Sequence, residues 1–340
     1  MINIISKSYL SSRVSGPKKV IMNLVKGLDQ LGYPYVINKD LSACKRLWIH
    51  DDIQALKFVK DLPSDIRIVV GPNLFIKPSD IPKDLDITRT VFTYPSNWIK
   101  DFWKKLGYVG SFMEVWPAGI DTDEFNISKA EKKFVMLYYK QRTKDELKLV
   151  EDFLHSKKIE YKLIVYHDYR EKEFRDILSQ TKYGIWLGRH ESQGIALEEA
   201  LACGVPLIVW DVKNLGHWAP TDKEKKLFTE EENNYVPVTS AEYFDETCGI
   251  KVNNFLDLIK ALDFMEKRWK NFNPRKYIIE NLDYKKQARD FLEIYDKYFG
   301  LSVVSGYQEK IMKFGNWINN RWSNKITTKL KDLLKNIINI

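Results

Sequence analysis

Two glutamates, Glu191 and Glu199, stand out among the groups able to do chemistry in this 340-residue chain. They lie in the stretch His190-Glu191-Ser192-Gln193-Gly194-Ile195-Ala196-Leu197-Glu198-Glu199-Ala200-Leu201-Ala202-Cys203-Gly204-Val205-Pro206. A buried-strand pattern, Tyr183 to Gly188, precedes the stretch, and a second, Leu207 to Trp210, follows it. A helix opening between the two carboxylates sets them roughly 12 Å apart along its axis. The N–H groups of Ser192 to Ile195 then project from a helix N-terminus, a ready site for an anion. Glu198 should point elsewhere, because adjacent helical positions face about 100° apart. A plain amphipathic helix with two solvated glutamates is the alternative. Gly194, Gly204, Pro206 and the strand on each side favour a site.

Other candidates sit on loops that follow strands. Lys140 and Arg142 come just after Phe134 to Tyr139, at the carboxyl edge of a sheet, where ligands of open α/β sheets bind. They suit an anionic ligand; the alternative is a solvated basic loop. Ser15-Gly16-Pro17 lies between the first strand and the first helix, where Gly16 permits close backbone approach to a ligand and a simple turn is the alternative. His50 ends a strand ahead of Asp51-Asp52, as a positioning group or as a buried structural histidine. His190, beside Glu191, is a weaker candidate. Asp121-Thr122-Asp123 spells a metal-binding Asp-x-Asp, but lies in a segment better read as a linker. No Ser-His-Asp order and no Cys-His pairing specifies a nucleophile.

These loops need an alternating α/β chain to hold them. Strand patterns at 2–6, 35–37, 46–50, 66–70 and 90–94 alternate with helical ones at 18–31 and 96–106. A second set runs through strands at 134–139 and 161–166 and helices at 144–156, 171–180 and 255–267. Such alternation predicts parallel sheets with helices on both faces. Glu114 to Phe125, with Pro117 and Gly119, marks a boundary between the two sets.

Composition narrows the class. Hydrophobic residues make up 44% of the chain, enough for real cores, and no run of 18 apolar residues exists to span a membrane. The N-terminus reads as a short strand rather than a signal peptide. Three widely spaced cysteines, Cys44, Cys203 and Cys248, imply a reducing compartment and no zinc cluster. The expected location is the cytoplasm or the inner face of the membrane. The formal charge is +8, and the last forty residues hold seven Lys/Arg against two Asp/Glu, most of the excess. That distribution argues against a nucleic-acid partner. Spaced apolar residues from Ile311 to Ile338, with Trp317 and Trp322, predict basic amphipathic helices in 301–340, for an anionic lipid surface or for packing on protein.

The stretch from Glu191 to Pro206 resembles the E-x7-E signature of retaining GT-B glycosyltransferases, in particular glycosyltransferase family 4. Glu191, Gly194, Glu199, Ala200, Ala202, Gly204 and Pro206 fall on the family's positions, while Ser192 and Gln193 replace its usual small and aromatic residues. Val115 to Phe125 is similar to the family's interdomain segment, with Ala118 in place of Asn. The 277–298 stretch is similar to its closing helix. The resemblance covers about residues 1–300.

It implies two Rossmann-like domains facing across a cleft: 1–120 for acceptor, 121–280 for nucleotide sugar, 281–300 as the closing helix and 301–340 as a basic extension. It implies a retaining hexosyltransferase that needs no metal or other cofactor and moves a sugar to a glycan or lipid-linked acceptor, as in surface polysaccharide assembly. Glu199 would accept hydrogen bonds from the ribose, Glu191 would orient the transferred sugar, and Gly16 with the N–H groups near Ser192, Gln193, Gly194 and Ile195 would hold phosphate or sugar. Lys140 and Arg142 would stabilise the leaving diphosphate, His50 would lie near the reacting sugar, and domain closure would complete the site. The rival readings are a GT-B sugar-nucleotide epimerase and a non-catalytic nucleotide- or membrane-binding protein. A dinucleotide oxidoreductase lacks its G-x-G-x-x-G.

Overall fold

A computed structural model describes residues 1–12 and 14–299; the amphipathic pattern read in 301–340 lies outside the described residues. The first sheet holds six strands, β1 (Ile2–Ile5), β2 (Tyr35–Ile37), β3 (Arg46–Ile49), β4 (Arg67–Val70), β5 (Thr90–Tyr94) and β6 (Phe112–Val115), in the order β2-β1-β3-β4-β5-β6. The second holds five, β7 (Phe134–Lys140), β8 (Tyr161–Val165), β9 (Thr181–Gly188), β10 (Leu207–Trp210) and β11 (Gly249–Val252), in the order β11-β10-β9-β7-β8. All pairings are parallel. β1, β5 and β10 bury every residue, as strands covered on both faces must.

The connecting helices are α1 (Gly16–Gln30), α2 (Ile53–Leu56), α3 (Asn97–Lys105), α4 (Lys144–Ser156), α5 (Glu171–Gln180), α6 (Ile195–Ala202), α7 (Glu230–Asn233), α8 (Phe255–Arg268), α9 (Pro274–Leu282) and α10 (Tyr284–Phe299). Local chemistry starts several of them. Ser15 caps α1 by accepting the Lys18 N–H, and Thr143 and Glu146 form a reciprocal capping box on α4.

Strand order fixes where a ligand belongs. Chain direction across the first sheet reverses between β1 and β3, and across the second between β7 and β9. Ligands of open parallel sheets bind at the carboxyl ends of the strands flanking such a reversal. Those ends carry the loop before α1 and His50 in the first sheet, and Lys140 to Arg142 and the loop from Arg189 to Gly194 in the second.

Three connections join the halves. Beyond β6 the chain runs through Trp116, whose indole N–H donates to the Gln287 carbonyl on α10 at 3.0 Å. β6 itself is a departure from the sequence reading, which placed Glu114 and Val115 in the boundary segment; they pair instead with Thr93 and Tyr94 of β5. The closing helix expected over 277–298 is two helices, because Asp283 turns to an extended conformation (ψ 136°) and forms a bridge with Ile120. α10 then crosses to the first half and packs on α1. Gly27 makes that approach available, since a Cβ there would lie 2.5 Å from Ala288 Cβ and 2.6 Å from the Tyr284 carbonyl oxygen.

The third connection carried no sequence signal. The long segment between β10 and β11 reaches over to the first half, where Leu215 and Tyr235 join a core with Tyr94, Phe102 and Trp103. Lys77 and Glu232 pair at 2.8 Å beside it. Among the described residues no helix is long and apolar enough to cross a membrane.

If the α1–α10 contact is as tight as this, Gly27→Val will destabilise the chain by about 1–3 kcal/mol through overpacking. Urea denaturation should show a lowered midpoint.

Candidate active site

Two Lys–Glu pairs lie at the carboxyl edge of the second sheet, one of them completed by a lysine from the first half. Lys140 ends β7, only 8% exposed, with its Nζ 2.5 Å from Glu191 Oε1 and 4.1 Å from the centre of the Tyr166 ring. Glu199, on α6, pairs with Lys19 from the first turn of α1, in the opposite half of the molecule, Nζ to Oε1 at 2.5 Å. Glu171, at the start of α5, lies 3.3 Å from the same ammonium. Glu199 is 2% exposed, and its Oε2 has no hydrogen-bond partner among the described residues. Burial pushes the Glu199 carboxyl up to about 7 despite the opposing pull of Lys19. Sequence reasoning passed over Lys19, because a lysine in an amphipathic helix reads as a solvated face.

Between the two glutamates the chain turns sharply into α6. Gly194 adopts φ 107°, in the left-handed region that favours glycine, and stands at the N-cap. The N–H groups of Gln193, Gly194, Ile195 and Ala196 have no hydrogen-bond partner among the described residues. Ser192 is exposed, Gly194 and Ile195 half-buried. The indole N–H of Trp98, on α3, donates to the Glu191 carbonyl at 2.9 Å, and the Glu191 N–H donates to the Thr239 carbonyl at 3.0 Å, so Glu191 is held from both halves. Gly16 opens α1, where an added Cβ would meet nothing within 4 Å; the protein's own packing does not require a glycine there.

Three expected site residues are spent inside the protein. Arg142 is fully buried, and four of its five N–H donors are engaged; the fifth lies against His217 Nε2, which carries a proton because His217 Nδ1 accepts from the Lys213 N–H. Nε and one Nη hold Glu146, the same Nη lies 3.2 Å from His217 Nε2, and the other Nη donates to the Gly188 and Trp210 carbonyls. Arg142 therefore staples the ends of β9 and β10 to α4, and its full burial keeps it from reaching a diphosphate. Although burial works against it, hydrogen bonds from His217 and Arg142 hold the Glu146 carboxyl well below its usual range.

Gln193 presents its side chain inward. Its Oε1 accepts from the Ala118 N–H at 2.9 Å, while its Nε2 donates to the Ala118 carbonyl and to Glu198 Oε2, each at 2.8 Å. Only its backbone faces the site. His50 is buried with Nε2 3.1 Å from the Pro17 carbonyl oxygen, and burial pushes it down to about 4, so it is a neutral tether under α1. His190 is boxed by the rings of Trp98, Trp218 and Phe228, and burial lowers it to about 3.

Glu198 does point away from Glu199, into the protein against Gln193, and burial raises it to about 8. Asp121 pairs with Lys26 at 2.6 Å, and Asp123 accepts from the Tyr284 hydroxyl. Among the described residues no group of three or more His, Cys, Asp or Glu side chains is placed to hold a metal ion.

Removing a paired buried charge is costly. Arg142→Met should lower stability by about 3–5 kcal/mol by stranding Glu146, which a thermal melt will read. Glu198 gives a pH signature. Its folded value lies above the ordinary 4.5, so the native state keeps a proton that the unfolded chain releases, and stability falls as pH rises from 4.5 to about 8. Glu198→Gln removes that slope. The melting temperature of the variant should gain on wild type steadily from pH 5 to 8 and hold level above it.

No protein-family model matches the sequence, and no curated protein matches it either. Solved structures do match its fold. Sucrose-phosphate synthase from Thermosynechococcus elongatus superposes with a TM-score of 0.55 at 9% identity, over 88% of this chain and 99% of that one. The catalytic domain of starch synthase IV from Arabidopsis thaliana, bound to ADP and acarbose, gives 0.56 at 11% identity over 88% and 99%. Anabaena HepE in complex with UDP-glucose gives 0.51 at 11% identity over 87% and 99%. With its two separate parallel sheets and the helix α10 crossing from the second half to the first, the chain has the GT-B fold.

Proposed function

We propose that this chain is a retaining, metal-independent glycosyltransferase of the family 4 type, moving a hexose from a nucleotide sugar to a glycan or lipid-linked acceptor. The observation that carries the reading is the pair of glutamates flanking the unpartnered N–H groups at the start of α6, each bound to a lysine. A nucleotide sugar offers two polyol rings, which donate to carboxylates, and two phosphates between them, which accept from ammonium and N–H groups. The starch synthase neighbour was solved with ADP and the HepE neighbour with UDP-glucose, ligands of this class.

In this reading the ribose hydroxyls donate to Glu199 and the sugar hydroxyls to Glu191. The bond from the anomeric carbon to the leaving phosphate oxygen breaks while charge grows on that oxygen, and Lys140 and the α6 N–H groups stabilise it. The acceptor hydroxyl attacks from the same face, forms the new bond to the anomeric carbon and gives its proton to the departing diphosphate. Arg142 acts only by holding the floor of the site together.

Screening UDP, GDP, ADP, CMP and dTDP by thermal shift, with EDTA present, tests this directly. A nucleotide at 100 times its dissociation constant stabilises by about 2.7 kcal/mol. One nucleotide should shift wild type and not Glu199→Ala, and Lys140→Met should keep the fold while slowing transfer roughly 10²-fold. No shift from any nucleotide contradicts the proposal, and a changed sugar nucleotide without acceptor would make the chain an epimerase.

A further inference from the structure

Lys19 is the one member of the two ion pairs that comes from the first half of the molecule, and the pair it forms stands in the way of the ligand proposed above. Glu199 is buried with Oε1 taken by Lys19, and its Oε2 is shielded from solvent without a partner. A ribose can reach that carboxylate only when the Lys19 side chain swings aside. Exchanging an ammonium for neutral hydroxyls is unfavourable on its own, since charge-assisted hydrogen bonds are roughly twice as strong as neutral ones. The displaced ammonium therefore needs a new anion within reach of its flexible stem. Glu171 is already at 3.3 Å and Asp121 is taken by Lys26, so neither offers a gain. The phosphate bonded to the ribose is the anion the ligand itself brings. Gly16, one turn earlier on α1, has no heavy atom within 4 Å of where a Cβ would lie.

We infer that Lys19 is a cross-cleft latch that transfers its charge from Glu199 to the donor's diphosphate when the nucleotide enters. The inference rests on the nucleotide-sugar reading and adds a phosphate-binding cation from the first half, beside Lys140 from the second. It makes donor binding depend on the two halves being together: only then does the ammonium that guards Glu199 lie where it can receive the phosphates.

The latch separates nucleosides from nucleotides. In wild type a nucleoside must break the Lys19–Glu199 pair without compensation, whereas a diphosphate compensates it. Calorimetric titration of the full chain with UDP, ADP and GDP, and with uridine, adenosine and guanosine, reads the difference in wild type, Lys19→Met, Lys19→Gln and Lys19→Arg. For the base that binds wild type, Lys19→Met and Lys19→Gln should weaken the diphosphate roughly 10-fold or more. The same two variants should bind the nucleoside as tightly as wild type or more tightly, and Lys19→Arg should retain diphosphate binding. A merely structural Lys19 would move both ligands the same way, so parallel weakening, or no change in either, overturns the latch while leaving the donor site standing. Failure of all six compounds, and of CMP and dTDP as well, to bind wild type would overturn the nucleotide-sugar reading, and the latch with it.

Discussion

Charge cannot be buried in this fold without its partner, and that constraint shapes the cleft. A carboxylate or ammonium taken from water costs several kcal/mol unless an opposite charge and good hydrogen bonds meet it. At the edge of the second sheet Lys140, Arg142, Glu198 and Glu199 all lie beneath the surface. Arg142 is answered by Glu146 and strand carbonyls, Glu198 by Gln193 and a raised pKa, Lys140 by Glu191. Glu199 is answered from the other half of the molecule, by Lys19. The site is thus assembled by the meeting of the two sheets.

The same dependence appears in the packing around it. Trp98 holds Glu191, Gln193 clasps both backbone groups of Ala118, and the segment between β10 and β11 puts Leu215 and Tyr235 into the first half's core. Opening the cleft would strand those groups as well as part the Lys19–Glu199 and Lys77–Glu232 pairs. The two halves are therefore held together by side chains at the site as much as by the crossing α10.

Much of the framework was legible in the sequence because it rests on periodic burial. Helices 144–156 and 171–180 fall where the pattern places them, and the strands that were read deviate by a residue or two at their ends, whereas β6 and β11 were not read. What was not legible depends on direction. Arg142 follows Gln141 at φ 49°, and that turn aims the guanidinium inward where spacing alone suggested the cleft. Gln193 has the composition of a site residue, yet its amide matches the backbone of Ala118 and turns away from the site. Lys19 is far from Glu199 in sequence, and the break at Asp283 is imposed by Ile120, also distant. Such pairings arise from tertiary meeting and leave no local periodicity.

A crystal structure of the chain with its nucleoside diphosphate tests the central claim most directly. The account predicts the ribose hydroxyls on Glu199, the diphosphate against the N–H groups that open α6, and the Lys19 ammonium moved from Glu199 to phosphate. A nucleotide seated elsewhere, with Lys19 still on Glu199 and Lys140 still on Glu191, would contradict it.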